Sequence, residues 1–470
     1  MKIYLPVTCL MFVVVSLEAQ NVSFSQPTGS PISTNTTAVR GITSADLNGD
    51  GNKDFVAGTA YGTSLNIYLG AGNGQFTAAP GSPMTAGNGP ISSAIADFNN
   101  DGKPDIATAN YNGGNISINL GTGTGSFTPA SPSSYTTGSS PYWIEAKDFN
   151  MDSKMDLVTV SAGTAKAYVF LGAGNGTFSV AAGSPYNTGT GPYHVSTGLF
   201  NNDNFPDFAV ANGLSANVSV FLGTGTGSFT PAPSSPYTVG TEPRTLSAKD
   251  VNNDGRPDLI VANATSANVS VLLGQTTGSF TTAVGSPITA GTYPYQTAVA
   301  DYNSDGHQDF SVTNGAASAT GNGFRVFLGN STGSFTEALN SPLTATSAPQ
   351  PISTDDFNGD GKADLLVGTF LSNKVNVYLN TNAVSVNELH KTKYVNIYPN
   401  PSAEVIVIKV NEPKTGMEFF LYNELGQEVD KLLIIDKETQ YLRRNLAKGI
   451  YTYSVLYNKE VVESGKIVFE

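Results

Sequence analysis

Histidine, tryptophan and cysteine are nearly missing from this chain, which has 3, 1 and 1 of them among 470 residues. The single cysteine, Cys9, lies in the leader described below. The rest of the chain therefore offers no disulfide, no thiol nucleophile and no thiolate metal ligand. Charge is also sparse, at 13% of residues, and acidic in balance, with 37 Asp and Glu against 24 Lys and Arg. A formal charge of -13 argues against a nucleic-acid partner. No stretch approaches the roughly 18 apolar residues of a membrane-spanning helix. What abounds is turn chemistry: 50 glycines and 26 prolines describe a chain of short strands.

Residues 1–19 read as a secretory signal peptide, with Lys2 at the basic start, a mostly apolar run over 5–17, and Ala19 as the small residue before Gln20. The expectation is a protein exported and soluble once processed.

The next 360 or so residues repeat themselves. An acidic loop recurs at Asp46, Asp97, Asp148, Leu199, Asp250, Asp301 and Asp356, at intervals of 51 residues five times and then 55. A second marker, a phenylalanine after a small-residue turn, recurs at Phe24, Phe76, Phe127, Phe178, Phe229, Phe280 and Phe335. Within one unit, apolar residues alternate around Ile95, Ile106, Ile116 and Phe127, which predicts four short strands separated by Gly and Asn turns, a propeller blade. The last loop has no phenylalanine strand after it, whereas Phe24 precedes the first loop. The N-terminal strand is thus expected to complete the last blade and remove an open edge.

Near Asn380 the chain changes character. The final 90 residues carry 12 acidic and 11 basic side chains and no acidic loop. Alternating segments around Val395, Val405, Phe419 and Tyr451 predict a separate small sandwich. The fold expectation is all-β: a seven-bladed β-propeller over 20–380 closed by an N-terminal strand, a linker at 381–389, and a small C-terminal β-sandwich over 390–470.

The acidic loops place oxygen side chains at positions 1, 3, 5 and 9, with glycine at the bend at 6. Hard cations such as calcium take six to eight oxygens, and a tight loop turns alternate positions inward. The candidate ligands are Asp46, Asn48, Asp50 and Asp54; Asp97, Asn99, Asp101 and Asp105; Asp148, Asn150, Asp152 and Asp156; Asp250, Asn252, Asp254 and Asp258; Asp301, Asn303, Asp305 and Asp309; and Asp356, Asn358, Asp360 and Asp364. Ser153 occupies the bend of the third loop, so a strained or weaker site is expected there. Leu199 removes the first ligand of the fourth, which is expected to be empty or weak. Asp, Asn and Gly also simply make good turns. Yet of 24 acidic residues between Asn21 and Asn380, 20 sit at these positions, against 12 basic residues in the same region. About six structural divalent ions would neutralise the difference.

The residue six before each loop begins the innermost strand, at the opposite end of the channel: Arg40, Ile91, Tyr142, Tyr193, Arg244, Tyr295 and Gln350. With the neighbours Trp143, His194 and Gln296, these residues either plug the channel or form an aromatic and cationic ligand site. Aromatic faces cover sugar C–H patches while polar tips bond hydroxyls. The turns at Gly113-Gly114-Asn115, Gly213-Leu214-Ser215 and 316–320 point to the same face and are uncharged. No HExxH, GxSxG or phosphate loop is present, and His307 and His390 have no triad context. His194 is the one candidate acid or base, beside Tyr142 and Tyr193.

The DxNxDGxxD loops at Asp46, Asp97, Asp250, Asp301 and Asp356 resemble those of the FG-GAP or VCBS repeat family, the blades of integrin α-subunit propellers. That resemblance implies seven blades, calcium in the loops and recognition on the opposite face. The C-terminal part, through Tyr398-Pro399-Asn400-Pro401, Leu425-Gly426-Gln427, Leu446-Ala447-Lys448-Gly449-Ile450-Tyr451 and Gly465-Lys466-Ile467-Val468, resembles the type A sorting domain of the type IX secretion system in Bacteroidota. It implies export, contact with the sorting machinery, and release or attachment at the outer-membrane surface. The functional expectation is a calcium-stabilised, monomeric binding or adhesion propeller for glycan or protein ligands. A polysaccharide lyase or hydrolase, or a passive matrix component, is the alternative.

Overall fold

The structure, a computed structural model, describes residues 21–34, 38–315, 323–345, 348–382, 395–410, 414, 416–423, 427–443, 446–457 and 460–470. The leader, the turn at 316–320 and most of the expected linker lie outside these residues. The chain divides into two compact units, Met1–Val384 and Ser385–Glu470. Among the described residues every regular element is a β-strand.

Seven antiparallel sheets make up the first unit. In blade two the strands run from inside outward as Pro90–Ala96, Asp105–Asn110, Asn115–Gly121 and Phe127–Thr136. The second strand of every blade is buried along its whole length, as in Asp105–Asn110. Both of its faces are covered by neighbouring blades, so burial runs without alternation and takes in polar residues such as Thr108 along with Ile106 and Ala107. Seven buried clusters fill the seven junctions between consecutive blades. One holds Val158, Val160 and Val169 of blade three against Val195, Phe208 and Phe221 of blade four. Another joins Val375 and Val377 of blade seven to Phe55 and Ala57 of blade one. A single blade could bury neither face, which is why the units come as a ring.

Blade seven consists of Pro349–Asp355, Asp364–Thr369, Lys374–Asn380 and the N-terminal pieces Phe24–Ser25 and Ile32–Ser33. Phe24 is in register with Asn380 and Ile32 with Val375. The inner strand Val39–Ala45 of blade one packs on Pro349–Asp355 as well as on Pro90–Ala96.

One feature departs from four strands per blade. In six blades the outer strand is broken into two short pieces, both paired with the third strand, as Phe178–Val180 and Tyr186–Asn187 are with Lys166–Gly172. The break falls at a Ser-Pro step, where proline has no N–H to give the ladder. At the break the serine hydroxyl stands in for an outer-strand carbonyl and accepts a third-strand amide: Ser184 from Val169, Ser235 from Val220 and Ser286 from Val271, each at 2.9 Å. Blade two keeps one continuous outer strand with a register shift.

In the second unit, Val395–Tyr398, Val405–Val410 and Glu438–Leu442 form one sheet, and Glu428–Ile434, Met417–Tyr422, Gly449–Tyr457 and Glu460–Phe469 another. Strands such as Met417–Tyr422 alternate buried and half-buried residues. The buried faces share one cluster, with Ile406 and Ile408 from the first sheet and Phe419, Leu421 and Val455 from the second.

Candidate functional sites: the acidic loops and the channel mouth

The acidic loops link the first and second strands of each blade, and their two kinds of aspartate do different work. The aspartate at position 9 is fully buried in all seven copies. Asp105 Oδ2 accepts the Phe98 N–H at 2.8 Å, and its Oδ1 accepts the Gly121 N–H at 2.7 Å, tying the loop to the third strand. Asp54, Asp156, Asp207, Asp258, Asp309 and Asp364 repeat both bonds. Burial pushes Asp54, Asp156, Asp207, Asp258 and Asp364 up to about 6 and Asp309 up to about 7, against the pull of those amides. Gly121 is there because a Cβ would lie 2.0 Å from the Pro104 carbonyl oxygen.

Position 1 faces the loop interior. Asp97 Oδ2 accepts the Gly102 N–H at 2.7 Å, and Oδ1 accepts the Asp101 N–H at 3.1 Å. The position-6 amide is bound in the same way in the other five loops that keep this aspartate. Position 5 is partly neutralised from within: Lys103, Lys154, Arg256 and Lys362 pair with Asp101, Asp152, Asp254 and Asp360. The oxygen-only donor set fits a hard cation. Among the described residues, however, no three acidic or histidine side chains stand together as a ready-made cage. Position 6 is left-handed in every loop, including Ser153 at φ 65° and Asn204 at φ 63°, where glycine is absent. Leu199 is 41% exposed and takes no part in its loop's hydrogen bonding, while Asp207 keeps its pinning role.

At the other end of the channel the seven inner strands open into a cavity of about 670 Å³. All seven ring positions line it: Arg40, Ile91, Tyr142, Tyr193, Arg244, Tyr295 and Gln350. Trp143, His194 and Gln296, one residue further along, do not, because successive strand residues face opposite sides. Trp143 reaches only a small void below the ring and stacks on His194 with centroids 4.1 Å apart. His194 is buried with no partner for Nδ1 among the described residues, and burial pushes its imidazole down to about 3. That leaves the imidazole neutral and out of reach of the cavity. Gln296 is buried too.

The ring is a connected network. Tyr142 packs against Tyr193 at 5.0 Å and against Tyr111 at 5.7 Å. Arg40 Nη1 donates to Tyr295 Oη at 2.7 Å, and the Tyr295 and Tyr142 hydroxyls are 3.2 Å apart. The Arg40 guanidinium lies 4.3 Å from the Phe370 ring centre, and that of Arg244 lies 4.6 Å from the Tyr193 ring centre. Arg244 also pairs with Glu242 and donates to Tyr293 Oη at 2.8 Å. Gly213 leaves room for Tyr193, whose ring would sit 2.2 Å from a Cβ there.

Five cavity or cluster residues escaped the sequence reading: Tyr61, Tyr111, Phe370, Glu242 and Tyr293. Their signal is a departure from the repeat. Tyr111 and Phe370 stand where the other repeats carry Ala60, Ala162, Gly213, Ala264 and Gly315. Glu242 and Tyr293 stand where the others carry Ala38, Gly89, Ser140, Gly191 and Ala348.

The repeats match the family model of the FG-GAP-like repeat over residues 46–108, 97–159, 148–210, 200–261, 250–312 and 316–367. The chain belongs to the FG-GAP-like repeat proteins. An FG-GAP repeat is also matched at 352–386. Residues 396–470 match the secretion system C-terminal sorting domain, in agreement with the type IX resemblance. This FG-GAP-like chain is therefore a secreted or surface protein, and its tail implies contact with the secretion machinery. Among solved structures, BBS1N in complex with ARL6DN is similar with a TM-score of 0.54 at 12% identity, covering 76% of this chain and 97% of that one. A putative 6-phosphogluconolactonase from Bacteroides fragilis has a TM-score of 0.50 at 17% identity, covering 66% and 85%. Such identities speak for the propeller-like fold alone. No curated protein matches the chain in sequence.

Proposed function

We propose that this FG-GAP-like protein is an exported binding module that captures a saccharide in the mouth of its channel, on a propeller steadied by calcium in the acidic loops. The observation that carries the reading is the aromatic cavity itself. Its 670 Å³ is of the size that holds small ligands, and its walls combine ring faces with a few polar tips, the combination a sugar needs. Calcium is supported by the recurrence of three carboxylates and an asparagine within nine residues, six times over. When bound, the cation would supply the charge neutralisation that the loop lysines and arginine supply only in part.

The test is binding of the full chain across a glycan array, with calcium and after chelation. Binding that weakens in Tyr142→Ala and Tyr193→Ala is the expected result. Binding that survives both changes would move the site elsewhere, and a folded, calcium-loaded protein that binds no glycan would sink the saccharide reading.

A further inference from the structure

We infer that the mouth is built for an acidic saccharide, with the carboxylate of a uronic acid residue seated on Arg40; this rests on the saccharide-binding reading above and narrows it. The two guanidiniums at the mouth are not equivalent. Arg244 is neutralised by Glu242, which also accepts from Tyr293 Oη at 3.1 Å. Arg40 has no carboxylate partner among the described residues. Its one hydrogen bond goes to the Tyr295 hydroxyl, while a guanidinium offers five donors. A cation half-sheltered by aromatic rings and left unpaired is costly unless something negative joins it.

The backbone supports the same assignment. The residue two before each ring position is left-handed in all seven repeats, at Ala38, Gly89, Ser140, Gly191, Glu242, Tyr293 and Ala348. Large side chains in that conformation are disfavoured. Glu242 and Tyr293, at φ 58° and 54°, accept it, and both are spent on Arg244. The blade-five side of the mouth thus already holds its own anion, which leaves Arg40 as the open cationic position.

In the same cavity as Arg40 stands a ring that a simple anion would not use, Tyr61, which is 60% exposed, while Phe370 lies under the guanidinium and holds it in place. A pyranose with a carboxylate satisfies both, its C–H face on an aromatic ring and its charge on the fork of Arg40.

The experiment is calorimetric titration of the full chain with tetramers of galacturonate, glucuronate, mannuronate and guluronate, each paired with its methyl ester. At least one free acid is expected to bind about tenfold or more tightly than its ester, as charge-assisted hydrogen bonds allow. Arg40→Gln should erase that preference, and Arg40→Lys should restore only part of it, while the melting temperature shows each variant folded. Equal binding of acid and ester overturns the inference and leaves the saccharide reading standing. Acid binding unchanged in Arg40→Gln overturns the assignment of the carboxylate to Arg40. Binding of none of the tetramers, with an acidic peptide bound through Arg40 instead, overturns both readings.

Discussion

The two ends of the channel are made from the same seven repeats, yet one end is nearly uniform and the other is not. At the loop end, a buried aspartate bonds the same two backbone amides in every blade, and position 6 is left-handed in every blade. At the mouth, the seven ring positions hold four different residue types: two arginines, an isoleucine, three tyrosines and a glutamine. Identity across repeats marks what each blade needs in order to fold. Variation across repeats, where the fold tolerates anything of the right backbone shape, marks positions that the fold does not dictate.

The comparison can be broken most forcefully at the loop end. Asp105→Ala would orphan the Phe98 and Gly121 amides, and is expected to cost about 3–5 kcal/mol in denaturant unfolding while leaving ligand affinity unchanged where the protein is folded. Asp207→Ala in blade four should cost the same, although Leu199 has already removed the first ligand there; a much smaller loss would show that the pin acts through a cation. Chelation comes next. If calcium binds only the folded protein, removing it from about 100-fold above its dissociation constant costs about 2.7 kcal/mol per site. Differential scanning calorimetry with and without chelator should show the melting temperature fall. Asp97→Asn should reduce that fall, while Asn201→Ala should leave it unaltered.

A smaller effect sits on the innermost strand of blade three, Pro141–Lys147. Glu145 has Thr197 as its hydrogen-bond partner and no ion pair among the described residues, and burial pushes it up to about 7. Its folded value lies above its unfolded value, so the protonated form is favoured by folding, and the stability this confers is lost as pH rises from about 4.5 through 7. Glu145→Gln should therefore gain on the natural protein between pH 4.5 and pH 8, by about 1–2 kcal/mol given the partial shelter of the site. Equal melting-temperature differences at both pH values would refute this. The smallest stability effect belongs to the mouth: Tyr61→Ala should shift unfolding by less than about 0.5 kcal/mol yet weaken saccharide binding several-fold. A variant that loses stability and keeps binding would invert the contrast between the two ends.

Much of this organisation was legible from spacing alone. The 51-residue period located the acidic loops, and counting six back from each gave seven residues that all line the cavity. The period also exposed the strand that blade seven lacks, which Phe24–Ser25 supplies. What periodicity could not give was the side of a strand to which a neighbour turns. Proximity in sequence groups Trp143 and His194 with the ring, and the pleat puts them out of the cavity. Nor could it rank two arginines, because the difference between Arg40 and Arg244 depends on Glu242 and on the left-handed backbone it adopts. The Ser-Pro step was visible in every repeat, but the hydroxyl's role emerges only once the third strand's spare amide is seen beside it.

Blade seven carries a consequence of its own. Ser23 and Asn382, 359 residues apart, share a hydrogen bond in the sheet that seals the ring. During synthesis the early part of the propeller exposes an unmatched rim until its final strand arrives, so sealing is a long-range and comparatively slow event. The mouth borrows walls from every blade, including Phe370 and Gln350 of the last. A truncated or nicked propeller would therefore lose the cavity together with its rim, so an intact cavity marks a propeller that has been made and joined in full.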